Sequence, residues 1–341
     1  MQPPRSDASS SNITFYTVAD RRFFPAATGL VNSLRLLGYE DPIVLLDCGL
    51  LSDQREALAS ECRLVSPPSS EPINPQLLKP FAHLLNPAGV VVILDSDLIV
   101  AGRLDAILRE AGAGRLCVNV DPESNRWFAE WEELFGLAAP PRGQPYVSSG
   151  FLAFSVDHWP DLLPRWWAAC QRIRSLPTTF YGAADSPTAQ SDQDALNAVL
   201  MSSSPSPDLF LLPAQALPTM EQFRREVRVV DDHRLACSIR GKRVTLIHPS
   251  VKVKPFETSR WIDQGRSPYP RLLRRLLASP DIRVRATPTG LPLWLRPGLR
   301  GALLARLLYV VNAVLDPIRL ILYRLGVGAA LRSARAVVSR R

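Results

Sequence analysis

The chain predicts an α/β protein with a mostly parallel central sheet flanked by helices, followed by a C-terminal amphipathic helical extension. Three observations predict it. Short β-rich runs alternate with segments of helical spacing over the first 120 residues, the pattern of crossover units that join parallel strands. The run Val90-Val91-Val92-Ile93-Leu94 has no polar position, so it reads as a strand covered on both faces. Charge is gathered at one end. Residues 283–341 hold eleven arginines against the single acid Asp316, a local +10 in a chain whose total is +8, which leaves −2 for residues 1–282. A near-neutral domain over 12–282 and a basic tail over 283–341 are therefore distinguished, with the Pro/Ser-rich residues 1–11 expected to be disordered.

Taken in order, residues 13–18 are β-rich and end at Ala19-Asp20, and 23–37 have helical apolar spacing closed by Gly38. Residues 42–47 form a second strand, 53–60 a second helix, 62–65 a short strand and 66–72 a Pro/Ser loop. A helix over 76–85 leads into the apolar strand at 90. A further helix over 103–110 ends in Gly112-Ala113-Gly114-Arg115-Leu116, read as a glycine C-cap because it follows a helix. Strand 117–120 precedes a helix over 125–135 that sets Trp127, Trp131 and Leu134 on one face, either core or the wall of a ligand cleft. Strand 147–155 opens with Ser148-Ser149-Gly150, which invites close backbone approach. A helix over 160–173 and a loop with an exposed-looking Phe180-Tyr181-Gly182 follow. Ser191 caps a helix beginning Asp192-Gln193-Asp194, with Asp194 three residues on. Residues 202–207 read as a loop, 209–213 and 228–230 as short strands, and 243–247 as a strand presenting His248 at its end.

A hydrophobic content of 46% with 21% charged residues is that of a globular protein, and 341 residues suffice for a large core. Five widely spaced cysteines form no Cys-x-x-Cys and no disulfide framework, which points to a reducing compartment. The polar N-terminus lacks the apolar core of a signal peptide. The expected location is the cytoplasm.

The chemistry gathers where Asp95 and Asp97 end the apolar strand. Side chains two apart on an extended chain point the same way, so both carboxylates reach one cation, at the sheet edge where open α/β folds bind ligands. The other reading makes them caps for the following helix. Distant segments add to the first reading. Thr17-Val18-Ala19-Asp20, Leu94-Asp95-Ser96-Asp97, Ser148-Ser149-Gly150-Phe151, Asp192-Gln193-Asp194-Ala195-Leu196-Asn197, and His248 followed by Lys254-Pro255-Phe256 occur in that order. Together they resemble the GT-A-fold retaining glycosyltransferases of family 8, the lipopolysaccharide galactosyltransferase and glycogenin group, over residues 12–256.

The resemblance implies a Rossmann-like nucleotide-binding domain using a UDP-sugar and Mn²⁺, or Mg²⁺. It implies metal ligation by Asp95, Asp97 and His248, an oxygen and imidazole set that suits Mn²⁺. Thr17, Ala19 and Asp20 would hold the nucleoside, with Asp20 accepting a uracil ring N–H. Ser96, Ser149 and Gly150 would line the donor, Lys79 would face the sugar phosphate, and Lys254 the diphosphate. Asp192 and Gln193 would lie at the sugar's reactive side, Gln193 turning an amide oxygen to the anomeric centre. No general base is evident, and in a front-face mechanism the leaving phosphate takes the acceptor's proton. Ser148 stands where the family has Asn, Phe256 where it has Trp, and the family's Gly between His and Lys is absent.

In the tail, the central charge-free stretch from Leu307 to Leu315 is nine residues, against roughly 20 for a membrane-spanning helix. Its polar positions share an arc, leaving a broad apolar face, and Asp316-Pro317 is expected to break it into two helices, with Gly326 and Gly328 interrupting it again. Arginines without acidic partners favour an anionic membrane as the partner of residues 291–341. The alternative is packing on the catalytic domain or a sister subunit; the high apolar share argues against nucleic acid. The leading expectation is a peripheral membrane glycosyltransferase on the inner face of the cell membrane, acting on a glycan or lipid-linked acceptor. The alternatives are a nucleotidyltransferase of similar fold and a catalytically dead membrane scaffold.

Overall fold

The computed structural model describes residues 12–67, 74–121, 125–174, 186–203, 207–218, 226–249, 254–257, 267–286 and 291–324, without the side chains of 312–313 and 316–324. The expected disorder of 1–11, the loop at Phe180-Tyr181-Gly182 and the tail beyond Arg324 lie outside the described residues.

The elements are β1 (Ile13–Ala19), α1 (Phe24–Leu36), β2 (Ile43–Asp47), α2 (Ser52–Ala59), β3 (Arg63–Val65), a 3₁₀ segment (Pro75–Leu85), β4 (Val90–Leu94), β5 (Ile99–Val100), α3 (Asp105–Gly112), β6 (Leu116–Val120) and α4 (Trp131–Phe135). There follow β7 (Val147–Ser155), α5 (Leu162–Arg174), α6 (Asp192–Met201), β8 (Leu209–Leu211), β9 (Arg228–Asp231), β10 (Ala236–Ile239), β11 (Lys242–Val244), β12 (Leu246–Ile247), α7 (Pro268–Ala278) and α8 (Leu299–Arg324). The central sheet has seven strands in the order β3-β2-β1-β4-β7-β6-β8. The pairs β3/β2, β2/β1, β1/β4 and β6/β8 are parallel, whereas β7 runs antiparallel to both neighbours.

Alternation along β4 explains its apolar run. Val90, Val92 and Leu94 enter one core with α1, α3 and α7, while Val91 and Ile93 enter a second core with α5 and α6. A strand fed to two cores has no face left for a polar residue. The antiparallel β7 pairs Phe151 with Leu94, so its first residues arrive at the carboxyl end of β4. There the Asp95 N–H donates to the Gly150 carbonyl at 2.9 Å.

Several elements differ from the sequence reading. Only Trp131–Phe135 is helical in the segment 125–135; Trp131 is buried and Trp127 exposed. Arg126 is drawn to Asp194 and the Trp127 indole N–H to the Pro141 carbonyl at 3.0 Å, so long-range partners override the local helical spacing. Residues 75–85 wind as 3₁₀ turns around Pro80. The expected strand over 243–247 divides at Thr245: β11 joins β10 in a small three-stranded sheet, and β12 pairs with β5. Ser191 makes no side-chain cap and has φ +54°. The helix α7, which the sequence reading did not anticipate, packs close to α1, where a Cβ on Gly29 would meet Leu273 at 2.7 Å.

The C-terminal segment changes most. Position 283 is no packing boundary, because Val284, Ala286, Leu291, Trp294, Leu295 and Ala305 belong to the first core. Asn32 on α1 secures the junction: its Nδ2 donates to the Leu276 and Val284 carbonyls at 2.8 Å, and its Oδ1 accepts from the Val284 N–H at 2.9 Å. The helix α8 runs on through Asp316-Pro317 instead of breaking there. An interior proline forfeits one donor and clashes with one carbonyl, a local cost of about 3 kcal/mol that a long helix absorbs. Substituting Asn32→Ala should destabilise the protein by about 3 kcal/mol, since it strands buried backbone groups; urea unfolding measures this, and a loss near zero would mean the C-terminal segment is not held through Asn32.

Candidate active site

The turn after β4 carries both carboxylates. The Leu98 N–H donates to the Asp95 carbonyl at 3.0 Å, which closes a tight turn over Asp95-Ser96-Asp97 and enters β5. Pairing of Ile99 with Ile247 and Val100 with Leu246 delivers His248, the residue after β12, across from that turn. The result is a compact trio. His248 Nε2 stands 3.2 Å from Asp97 Oδ1 and 3.5 Å from Asp95 Oδ2.

Two lysines take the outer oxygens of the same carboxylates. Lys79 Nζ lies 2.6 Å from Asp95 Oδ1 and 2.9 Å from Asp192 Oδ2, and it donates to Ser149 Oγ at 3.1 Å. Lys254 Nζ lies 2.7 Å from Asp97 Oδ2 and donates to the Pro249 carbonyl at 3.1 Å. Burial opposes charge at Lys79, but the carboxylates of Asp192 and Asp95 outweigh it and raise its pKa. Asp97 shows the converse: burial pushes its pKa up, while Lys254 and then His248 hold it well below the carboxylate range. Asp192 is raised, chiefly by burial, and the ammonium it shares with Asp95 offsets this only in part.

The trio fits a divalent cation on two counts. One ligand atom from each of Asp95, Asp97 and His248 can be chosen with all three within 4.8 Å of one another, and the donor set is two oxygens and an imidazole. Gly150 leaves the space beside them clear, since a Cβ there would meet Asp95 Oδ2 at 3.0 Å, Ser148 Oγ at 3.3 Å and His248 Cε1 at 3.4 Å. The helix-cap reading of Asp95 and Asp97 fails: α3 begins after Leu104 with no side-chain cap.

The start of α6 forms the neighbouring wall. Ser149 Oγ donates to Asp192 Oδ2 at 2.7 Å, and the Ser149 N–H donates to Gln193 Oε1 at 3.1 Å. Gln193 Nε2 in turn donates to Asp121 Oδ2 at 3.1 Å. One lone pair of the Gln193 oxygen is therefore taken by the backbone, and its amide is locked from both ends. Asp194 accepts the Gln190 N–H at 2.7 Å, not the Ser191 N–H that a capping box would use. It is fully buried with Arg126 at 2.7 Å and the Tyr146 hydroxyl donating at 2.8 Å, a network that anchors the first turn of α6.

On the other side, Asp20 Oδ1 accepts from the Arg22 and Phe23 N–H groups at 2.8 and 3.0 Å, which shapes the turn from β1 into α1. Arg22 Nε donates to Glu257 Oε1 at 2.9 Å, and Phe23 packs edge-on against Phe256 with centroids 5.4 Å apart. The segment carrying Lys254 is thus clasped to the end of β1. Ala19 and Ser96 are buried, and Thr17 Oγ1 is buried with no hydrogen bond, lining a narrow gap with Val18, Leu78 and Lys79. Asp95, Asp97, His248, Lys79, Lys254, Ser149, Gly150, Asp192 and Gln193 are brought into one contiguous cluster, Thr17 borders the gap beside Lys79, and Asp20 shapes the turn that follows β1. Asp121 and Arg126 escaped the sequence reading. The signal for Asp121 was available, because it ends the apolar strand β6 as Asp95 ends β4.

No family model and no curated protein matches this chain by sequence. Solved structures do match. The apo structure of the bifunctional glycosyltransferase WbbM superposes with a TM-score of 0.51 at 14% identity over 82% of this chain, which spans about half (51%) of that protein. The galactosyltransferase LgtC, solved with donor and acceptor sugar analogs, gives 0.49 at 18% identity, with 79% of this chain and 98% of that one covered. The glycosyltransferase GlyE of Streptococcus pneumoniae TIGR4 gives 0.43 at 17% identity, with 71% and 55% covered. At 14% identity the WbbM likeness speaks for architecture alone, and that architecture is the GT-A fold of glycosyltransferases.

Proposed function

We propose that the protein is a metal-dependent glycosyltransferase that moves a sugar from a UDP-sugar to a glycan or lipid-linked acceptor with retention of anomeric configuration. The observation that carries this reading is the joining of the Asp95-Asp97-His248 trio to two lysines at the carboxyl edge of the sheet. Asp95 Oδ2, Asp97 Oδ1 and His248 Nε2 would hold a divalent cation, with Mn²⁺ favoured by the mixed ligand set. Bound there, such an ion supplies neutralisation of a diphosphate and of the charge that develops on it as it leaves. Lys254 adds an ammonium for the same phosphate.

Asp192 is held rigid by Lys79 and Ser149 and accepts sugar hydroxyls. Gln193 is oriented by the Ser149 N–H and Asp121, so its remaining oxygen lone pair has a fixed direction. The acceptor hydroxyl passes its proton to the departing diphosphate, and preorganised charge is the main catalytic contribution. Asp20, Thr17 and Ala19 form the nucleoside wall, which the Arg22 and Phe256 contacts draw toward Lys254.

Membrane attachment rests on α8. Leu299, Leu303, Leu307, Val310 and Val314 are all exposed, and at 100° per residue they fall within an arc of about 80°. Leu304 and Leu308 on the other side pack against the core. Exposed Arg300 and Arg306 flank the stripe. None of the described helices is long and apolar enough to cross a membrane, so the helix would lie in the interface of an anionic bilayer, each arginine adding about 1 kcal/mol. All five cysteines are free thiols, which supports the cytoplasmic, reducing side of that membrane.

Two outcomes test this reading. UDP with Mn²⁺ should raise the thermal midpoint, by about 2.7 kcal/mol of stabilisation at a hundredfold excess over Kd, and Asp97→Asn should abolish the rise; no shift with any nucleotide would sink the proposal. The double substitution Leu303→Asp with Leu307→Asp should release the folded protein from phosphatidylserine vesicles in a sedimentation assay. Unchanged binding would refute attachment through α8.

A further inference from the structure

The contacts inside the site divide each metal-facing carboxylate between two duties. Asp95 turns Oδ2 toward His248 and Oδ1 toward Lys79, and Asp97 turns Oδ1 toward His248 and Oδ2 toward Lys254. Three carboxylates, Asp95, Asp97 and Asp192, therefore meet two ammoniums, Lys79 and Lys254. Counting these carboxylates and ammoniums, the cluster carries one net negative charge before any ligand enters. We propose that these lysines counter-charge the site so that it accepts its divalent cation jointly with a nucleoside diphosphate, and that Lys254 is the residue that sets this coupling. The inference rests on the metal and nucleotide reading above and adds the order of affinities within it.

A free dication would turn the cluster net positive and set two like charges on the same carboxylate, Asp97, which is buried and poorly screened by salt. A diphosphate arriving with the ion restores the balance and offers Lys254 a new partner. The two lysines are not equivalent in this respect. Lys79 is buried and shared among Asp95, Asp192 and Ser149, so its place is fixed by three groups. Lys254 has a more accessible side chain than Lys79, and it is held by Asp97 Oδ2 at 2.7 Å and by the Pro249 carbonyl at 3.1 Å. An ammonium nearer solvent exchanges a carboxylate for an incoming phosphate at a smaller desolvation cost than a buried one shared between two carboxylates. Lys254 therefore discourages the bare ion and welcomes the ion that comes with phosphate.

The test is calorimetric titration of the full chain with Mn²⁺ alone and with Mn²⁺ in saturating UDP, on the wild type, Lys254→Met and Lys254→Gln. Both substitutions keep an extended side chain, and far-UV circular dichroism verifies the fold. In the wild type, UDP should tighten Mn²⁺ binding by about a hundredfold. Each variant should bind Mn²⁺ alone about tenfold more tightly than the wild type, and UDP should then add correspondingly less. Folded variants that bind Mn²⁺ alone with wild-type or weaker affinity would overturn the inference. Failure of the wild type to bind Mn²⁺ with any nucleotide would instead count against the metal–nucleotide reading, while the Mn²⁺-only comparison still decides the role of Lys254.

Discussion

Three carboxylates cannot crowd a half-buried sheet edge unless cations hold them there, and this electrostatic constraint organises the molecule. Asp95, Asp97 and Asp192 reach the same place from the end of β4 and the start of α6, with Lys79 between Asp95 and Asp192 and Lys254 on Asp97. Removing one partner of such a buried pair costs about 3–5 kcal/mol, because the other charge is left uncompensated. Replacing both by apolar groups of similar volume is often neutral or favourable. Retaining charge here is thus weak as a means of stability and makes sense as a means of binding charge.

The fold serves that edge. The antiparallel β7 brings Ser149 and Gly150 to the carboxyl end of β4, and the short β5–β12 pair spans about 150 residues of sequence to place His248 opposite Asp97. The Arg126–Asp194–Tyr146 network holds the first turn of α6, so Asp192 and Gln193 are carried on a rigid element. Contacts of Arg22 and Phe23 with Glu257 and Phe256 join the Lys254 segment to the end of β1. The C-terminal segment serves twice. Through Trp294 and Leu295 it completes the first core, and through the outer stripe of α8 it leaves an apolar, arginine-flanked surface uncovered.

Much of this could be read from the sequence where local pattern and tertiary role coincide. The run Val90 to Leu94 announced a doubly covered strand and Asp95 and Asp97 announced its edge, while His248 and Lys254 were singled out through the family resemblance of the segment they share. What escaped depends on partners far along the chain. Asp194 looks like a helix-cap acid until Arg126, 68 residues away, claims it. Trp127 fits a helical stripe until its indole finds Pro141. The antiparallel course of β7 leaves no local trace, because a strand buried on both faces has the same composition in either direction. Pro317 predicted a break that α8 does not show, since a helix of 26 residues carries the local cost of about 3 kcal/mol.

The most direct test of the central claim is an anomalous difference map from crystals grown with Mn²⁺ and UDP. One strong peak is expected, bounded by Asp95 Oδ2, Asp97 Oδ1 and His248 Nε2, with the diphosphate against it and within reach of Lys254. A nucleotide bound without a metal peak at that trio, or a peak elsewhere on the sheet, would contradict it.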